Sequence, residues 1–204
     1  MTRILFNIKN FYFRLAIIKL IEGLHTENKN IAYDFNYNTK SISTADIIFT
    51  EMVAGEFSLC HDTLNNRGDT ARIFIFHSQS GRITKNPLPN CIKGSIFIHE
   101  KDSFANIKKT IEKALGFNNI KITHDPVPCR LRRCLNCQCK SVTAAQLKIL
   151  YATSIGLNTS DIAKELNMNY KTVFSHKRNV MIKFSLTNKQ ELQKFACLLA
   201  KKKL

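Results

Sequence analysis

The sequence is short of acid: Asp and Glu number 15 against 31 Lys and Arg, a formal net charge of +16 over 204 residues. It has no apolar run near the ~18–20 residues that a membrane span requires. The opening stretch Met1-Thr-Arg-Ile-Leu-Phe-Asn-Ile-Lys9 carries too short an apolar segment, and no small-residue cleavage site, for a secretory signal. A soluble, cytoplasmic protein is expected. No internal repeat of useful period is present. There is no nucleophile motif, no glycine-rich phosphate loop and no cluster of carboxylates, so enzymatic chemistry has no centre and no cofactor is expected. Seven cysteines, an odd number without a signal, argue against a disulfide framework and for reduced thiols or a metal site.

What is present is positive charge, unevenly placed. The first 116 residues hold 15 basic and 11 acidic side chains, a net of +4, whereas the last 88 hold 16 and 4, a net of +12. A C-terminal part so biased is built to meet a polyanion, nucleic acid before acidic membrane. Hydrophobic residues make up 44% of the chain, enough for a packed core.

Residues 1–116 alternate between strand and helix patterns. Arg3–Ile8, Ile31–Phe35, Ala45–Thr50, Ala71–Phe76 and Gly94–Ile98 read as strands. Phe13–Glu22 reads as an apolar-periodic helix stopping near Gly23, and Ser103–Leu115 as a second, with Phe104, Ile107, Ile111 and Leu115 on one face. Strands separated by helices imply parallel pairing in an α/β sandwich. The segment 52–70 shows little periodicity, and Ser78–Asn90 is a loop carrying Gly81, Pro87 and Pro89.

Residues 117–141 form a basic, cysteine-rich linker containing Cys129-x4-Cys134-x2-Cys137-x-Cys139, with His124 nearby. Four thiolates suffice for tetrahedral zinc or an iron–sulfur cluster, and Arg130, Arg132 and Arg133 favour the thiolate form. Cys137-x-Cys139 is tighter than a standard knuckle, and a thiol-rich linker remains the alternative, so no ligands are assigned.

Residues 142–204 read as four helices. Thr143-Ala-Ala-Gln146 is a capping box opening a helix that buries Leu147 and Leu150, and Gly156 stops it. Asn158 caps a short helix with Ile162, Ala163 and Leu166 inward; Asn169 caps a third, with Val173, Val180 and Phe184 inward. Thr187-Asn-Lys-Gln190 is a second capping box, opening a helix with Leu192, Phe195, Ala196 and Leu199 on one stripe. The tight Asn167-Met168-Asn169 turn makes the middle pair a helix-turn-helix.

Val142-Thr-Ala-Ala-Gln-Leu-Lys-Ile-Leu150, Gly156, Asp161-Ile-Ala163, Leu166 and Lys171-Thr-Val-x-x-His176-x-x-Asn179-Val-x-x-Lys183-Phe184 resemble the LuxR/FixJ DNA-binding domain. Gln146, Phe184 and Asn169 depart from that pattern, each conservatively in role. The resemblance implies a recognition helix over residues 170–184 that enters the major groove of double-stranded DNA. Lys171 and Thr172, at its start, suit phosphates, helped by the amides of the N-terminus. Val173 lies near the groove wall, Phe174 meets a thymine methyl, Ser175 serves either base edge and Arg178 forks onto guanine. His176 and Lys177 meet backbone or base edges. LuxR-like domains pair through the helix equivalent to 187–199, which puts Leu192, Gln193 and Cys197 near a dimer contact.

The first 116 residues resemble a receiver domain stripped of its phosphorylation chemistry. The first strand ends in Phe6-Asn7-Ile8-Lys9 with no Mg²⁺-binding acidic pair; Glu51 falls where the acceptor Asp would stand, Ser78 where the hydroxyl would, and Ile98-His99 displace the lysine. Such a receiver joined to a LuxR-type reader is similar to the RcsA/BglJ class of auxiliary regulators, with Lys171-Thr-Val-Phe-Ser-His-Lys-Arg-Asn-Val-Met181 as the local match. That resemblance implies a bacterial transcription regulator, at the nucleoid when bound, paired with itself or with a response regulator of RcsB type. The competing reading is an interaction protein that docks on a partner regulator without reading DNA.

Overall fold

The computed structural model describes residues 1–24, 32–79, 88–115 and 137–202. These fall into two compact units. An α/β unit comprises Met1–Met52, His61–His77 and Asn90–Asn136; a helical unit comprises Val53–Cys60, Ser78–Pro89 and Cys137–Leu204. No helix among the described residues is long and apolar enough to cross a membrane.

The α/β unit is a five-stranded parallel sheet. Its strands are β1 (Thr2–Asn7), β2 (Tyr33–Asn36), β3 (Ile47–Met52), β4 (Arg72–His77) and β5 (Ile96–His99), in spatial order β2-β1-β3-β4-β5. All four pairings are parallel, as crossover connections require. Side chains alternate between faces with the strand period of two. Ile4, Phe6, Ile47, Phe49, Phe74, Phe76 and Ile98 share one core with Ile17, Ile18, Leu20 and Ile21 of α1 (Phe11–Gly23) and with Ile107 and Ile111 of the Phe104–Leu115 helix. Leu5, Ile48 and Ile75, the intervening positions, are also fully buried. Phe6, Phe49 and Phe74 occupy one register row across β1, β3 and β4, their rings stacked at centroid separations of 5.2 and 4.7 Å.

The unpatterned segment after β3 explains itself. Instead of a full crossover helix it holds a 3-10 turn, Glu56–Ser58, and the single-turn α2 (Asp62–Asn65). The last helix of this unit, α3 (Phe104–Leu115), buries Ile107 and Ile111 but leaves Phe104 exposed and Leu115 half-buried, a narrower stripe than expected.

The helical unit contains α4 (Ala144–Ser154), α5 (Thr159–Glu165), α6 (Tyr170–Lys183) and α7 (Lys189–Lys202). The α4 capping box forms as expected: the Gln146 amide donates to Thr143 Oγ1 at 3.3 Å, and Gln146 Oε1 accepts from the Thr143 amide at 3.1 Å. Ile149, not Leu147, joins Leu150 in the core; Leu147 is half-buried. The second box is displaced by one residue. Asn188 caps α7 by accepting from the Glu191 amide at 2.9 Å, while the Glu191 carboxylate reaches back to the Thr187 amide at 2.7 Å. Glu191 supplies a full negative charge near the helix start, which Gln190 cannot.

Two clusters hold this unit together. Ile149, Ala152, Ile162, Ala163 and Val173 form one. Leu150, Val180, Phe184, Leu186, Leu192, Phe195 and Ala196 form the other, completed by Ala54 and Leu59 from the 53–60 segment. Gly55 sits between them with φ of +80°, and a Cβ there would fall 2.9 Å from Leu186 Cδ2 and 3.1 Å from Phe184 Cβ. The Lys140 amide donates to the Ser58 carbonyl at 2.7 Å, and Gln79 bridges the Gly55 amide and the Ser185 carbonyl.

Candidate nucleic-acid interface

The local chemistry that builds α6 is explicit. Asn158 caps α5 by accepting from the Ser160 and Asp161 amides at 2.9 and 3.0 Å. The chain then turns through Asn167, whose φ of 50° is a left-handed conformation that asparagine tolerates. Asn169 restarts the helix, its side chain accepting from the Lys171 amide at 2.8 Å and its carbonyl from the Thr172 and Val173 amides at 3.0 and 3.1 Å. The first-turn amides at 171–173 are therefore engaged within the protein. Those amides are not free to meet an anion, whereas the Lys171 and Thr172 side chains are exposed.

Val173, Val180 and Phe184 point into the core, at 0%, 1% and 0% exposure. Val173 is thus core, as its inward place in the helix pattern had it, and not at the groove wall that the resemblance implied; it anchors the helix from behind. On the opposite face Lys171, Thr172, Phe174, Ser175 and Arg178 are exposed. His176 and Lys177 are half-buried, at the shoulder of that face. Lys177 leans back on α5, its Nζ 3.4 Å from Thr159 Oγ1, and burial, then the nearby Lys189, pulls its pKa below the usual lysine value. Tyr170, absent from the sequence reading, is exposed one turn before Phe174, and that spacing was the available signal.

On α7, Leu192 is only 5% exposed and belongs to the core, so it cannot meet a partner as expected. Gln193 and Cys197 are half-buried and both reach the carbonyl that ends α4: Gln193 Nε2 donates to Ser154 O at 3.2 Å, and Cys197 Sγ lies 3.7 Å from it. Tyr151 and Ile155, flanking Ser154 on α4 and just beyond it, are exposed.

At the carboxyl ends of the parallel strands, where open α/β sheets place their ligands, Asn7 Nδ2 donates to Thr50 Oγ1 at 3.1 Å and the Lys9 amide donates to Glu51 Oε1 at 3.2 Å. His77 and His99, paired in register at the ends of β4 and β5, meet edge to face at 5.1 Å. Cys129 and Cys134 lie outside the described residues, as does His124; Cys137 is half-buried and Cys139 exposed. Among the described residues no three His, Cys, Asp or Glu side chains converge on a metal position.

Residues 140–196 match the luxR family of bacterial regulatory proteins. No curated protein matches the chain. Among solved structures, two RcsB dimers bound to two parallel DNAs are similar at 15% identity and a TM-score of 0.50, over 98% of both chains. RcsB from Salmonella enterica serovar Typhimurium, bound to promoter DNA in the presence of the phosphomimetic BeF3−, is similar at 15% identity and a TM-score of 0.52, over 95% of this chain and 97% of that one. The fold is thus a parallel five-stranded α/β domain followed by a LuxR-type helix-turn-helix domain, an arrangement shared with RcsB.

Proposed function

We propose that this chain, whose residues 140–196 form a LuxR-family helix-turn-helix domain, is a transcription regulator that reads DNA sequence with α6. The carrying observation is that helix's two-sidedness: Val173, Val180 and Phe184 are buried, while Lys171, Thr172, Phe174, Ser175 and Arg178 stand clear on the other side. Buried packing fixes the register of the exposed set, which is what base readout demands of a recognition helix. His176 and Lys177, at the shoulder, supply backbone contacts. The +12 balance of the last 88 residues adds the sequence-independent attraction to phosphate.

Control is not by aspartyl phosphorylation. The strand ends carry two hydrogen-bonded pairs, the Asn7 side-chain amide with the Thr50 hydroxyl and the Lys9 backbone amide with Glu51, without the carboxylate pair that would hold Mg²⁺. The protein works as a dimer, with itself or with a response regulator of RcsB type; that the similar RcsB structure contains dimers on DNA favours this reading. Gln193 and Cys197 flank the contact, joined by the exposed Tyr151 and Ile155. The test is footprinting of a promoter library by the purified chain, alone and with an RcsB-type partner. Protection that requires α6 supports the proposal. Partner binding that leaves DNA unprotected favours a docking protein instead.

A further inference from the structure

One row of α6 is conspicuous for what it exposes. Tyr170, Phe174, Arg178 and Ile182 follow one another at four-residue intervals, and the three apolar members are 52%, 52% and 68% exposed. Residues four apart on a helix stand on one face, one above the other, about 6 Å apart along the axis. A single exposed aromatic is ordinary. Two in succession, leading into an arginine, make a surface with its own chemistry.

The occupant of that surface is settled by charge. Lys171 and Lys177 border the row, which itself contains Arg178, so a second copy seated on it would bring like charges together in a chain already at +16. Duplex DNA offers the complement: phosphates at the groove walls for the cations and, on its floor, one apolar group, the C5-methyl of thymine. The Phe174 ring has no hydrogen-bonding group to match against base edges, so methyl contact is the discrimination open to it; Tyr170 presents the same apolar ring face with a hydroxyl only at its tip, and Arg178 suits the O6/N7 pair of guanine.

We propose that Tyr170 and Phe174 read thymine methyl groups, so that the half-site carries a thymine facing Phe174 within about two base pairs of the guanine facing Arg178 and a second thymine facing Tyr170 on the far side. The spacing follows from the ~6 Å separation of the side chains against the ~3.4 Å rise of each base pair. This rests on α6 reading DNA, and deepens that reading by assigning Tyr170 and naming the base chemistry.

The experiment uses the full chain and a random-sequence duplex library. An enriched site is resynthesised with each thymine replaced in turn by uracil, which removes the methyl and keeps every hydrogen-bonding group. Losing one buried methyl costs about three- to fivefold in affinity. Uracil at one position should weaken the wild type by that factor and leave Phe174→Ala indifferent; uracil at a second position should do the same for Tyr170→Ala. If an enriched site binds equally well with every thymine replaced, or if the uracil penalties persist undiminished in both variants, the inference is wrong while the reading of DNA by the polar groups of α6 stands. If no sequence is enriched, DNA reading itself fails and this inference with it.

Discussion

Asn7 and Thr50, register partners at the ends of β1 and β3, are joined by a 3.1 Å hydrogen bond from the Asn7 amide to the Thr50 hydroxyl. A neutral donor and a neutral acceptor thus satisfy each other at the point where a phosphorylatable sheet would gather negative charge around a metal. One residue on from Thr50, Glu51 accepts from the amide of Lys9, two residues on from Asn7.

Incubation with acetyl phosphate and Mg²⁺, followed by intact-mass measurement, should therefore show no added phosphate. Glu51→Asp should not restore uptake, because the missing element is the metal-binding pair and not the acceptor alone. An acid-labile gain of one phosphate in either protein would overturn this.

Arg178 and Lys171 should separate in binding titrations. Arg178→Ala is expected to lose about 1–3 kcal/mol on a specific site and little on scrambled DNA, since a bidentate guanine contact carries sequence information. Lys171→Ala should weaken both alike and lower the salt dependence by about one phosphate's worth of counterions. Titrations at two salt concentrations on matched and scrambled duplexes decide it.

His77 ties stability to pH. Burial first, and the adjacent His99 second, push its pKa from 6.5 down to about 4, with Asp102 pulling weakly the other way; its Nδ1 is buried without a hydrogen-bond partner among the described residues. Between those values the unfolded chain takes up a proton that the folded chain refuses, so His77's contribution is complete above pH 6.5 and drains away as pH falls toward 4. Thermal melts at pH 7 and pH 5 should show a smaller drop for His77→Gln than for the wild type.

Gly55→Ala should destabilise the protein by about 2 kcal/mol. The left-handed backbone costs a Cβ about 1–2 kcal/mol, and the contacts at 2.9 Å to Leu186 and 3.1 Å to Phe184 add overpacking. Thr143→Ala, which removes one half of the α4 capping box, should cost about 1 kcal/mol. Chemical denaturation followed by circular dichroism reads both.

For the α7 surface, Gln193→Glu places a negative charge against the carbonyl that ends α4, and Cys197→Arg adds bulk beside it. Both should raise the protein concentration needed to footprint paired half-sites while leaving α6 intact. Unchanged footprints from folded variants would remove this face from the dimer contact.

The fold was legible wherever the pattern was local. Runs of β-branched and aromatic residues such as Ile73, Phe74 and Ile75 exposed the strands, and the caps at Asn158 and Asn169 are written in the residues themselves. Burial set by distant packing was not. Leu192 lies on a helix face whose depth depends on neighbouring helices, which decides core against dimer contact, and Ile149 displaced Leu147 from the core for the same reason. Nothing near Ala54 or Leu59 announces that their partners lie more than ninety residues away at Leu150 and Phe195. Tyr170 directly follows the Asn169 cap, where the local residue pattern encodes backbone capping and not side-chain exposure.

The enlistment of residues 53–60 in the second core has a consequence for descent. Ala54, Gly55 and Leu59 are encoded far upstream of the four helices they complete. A single genetic crossover at the 117–141 region would transplant α4 to α7 without them, leaving an apolar notch beside Phe184 and Phe195. Where regulators diversify by shuffling readers onto new sensors, this chain is poorly suited to the exchange, and its halves are expected to have been inherited together.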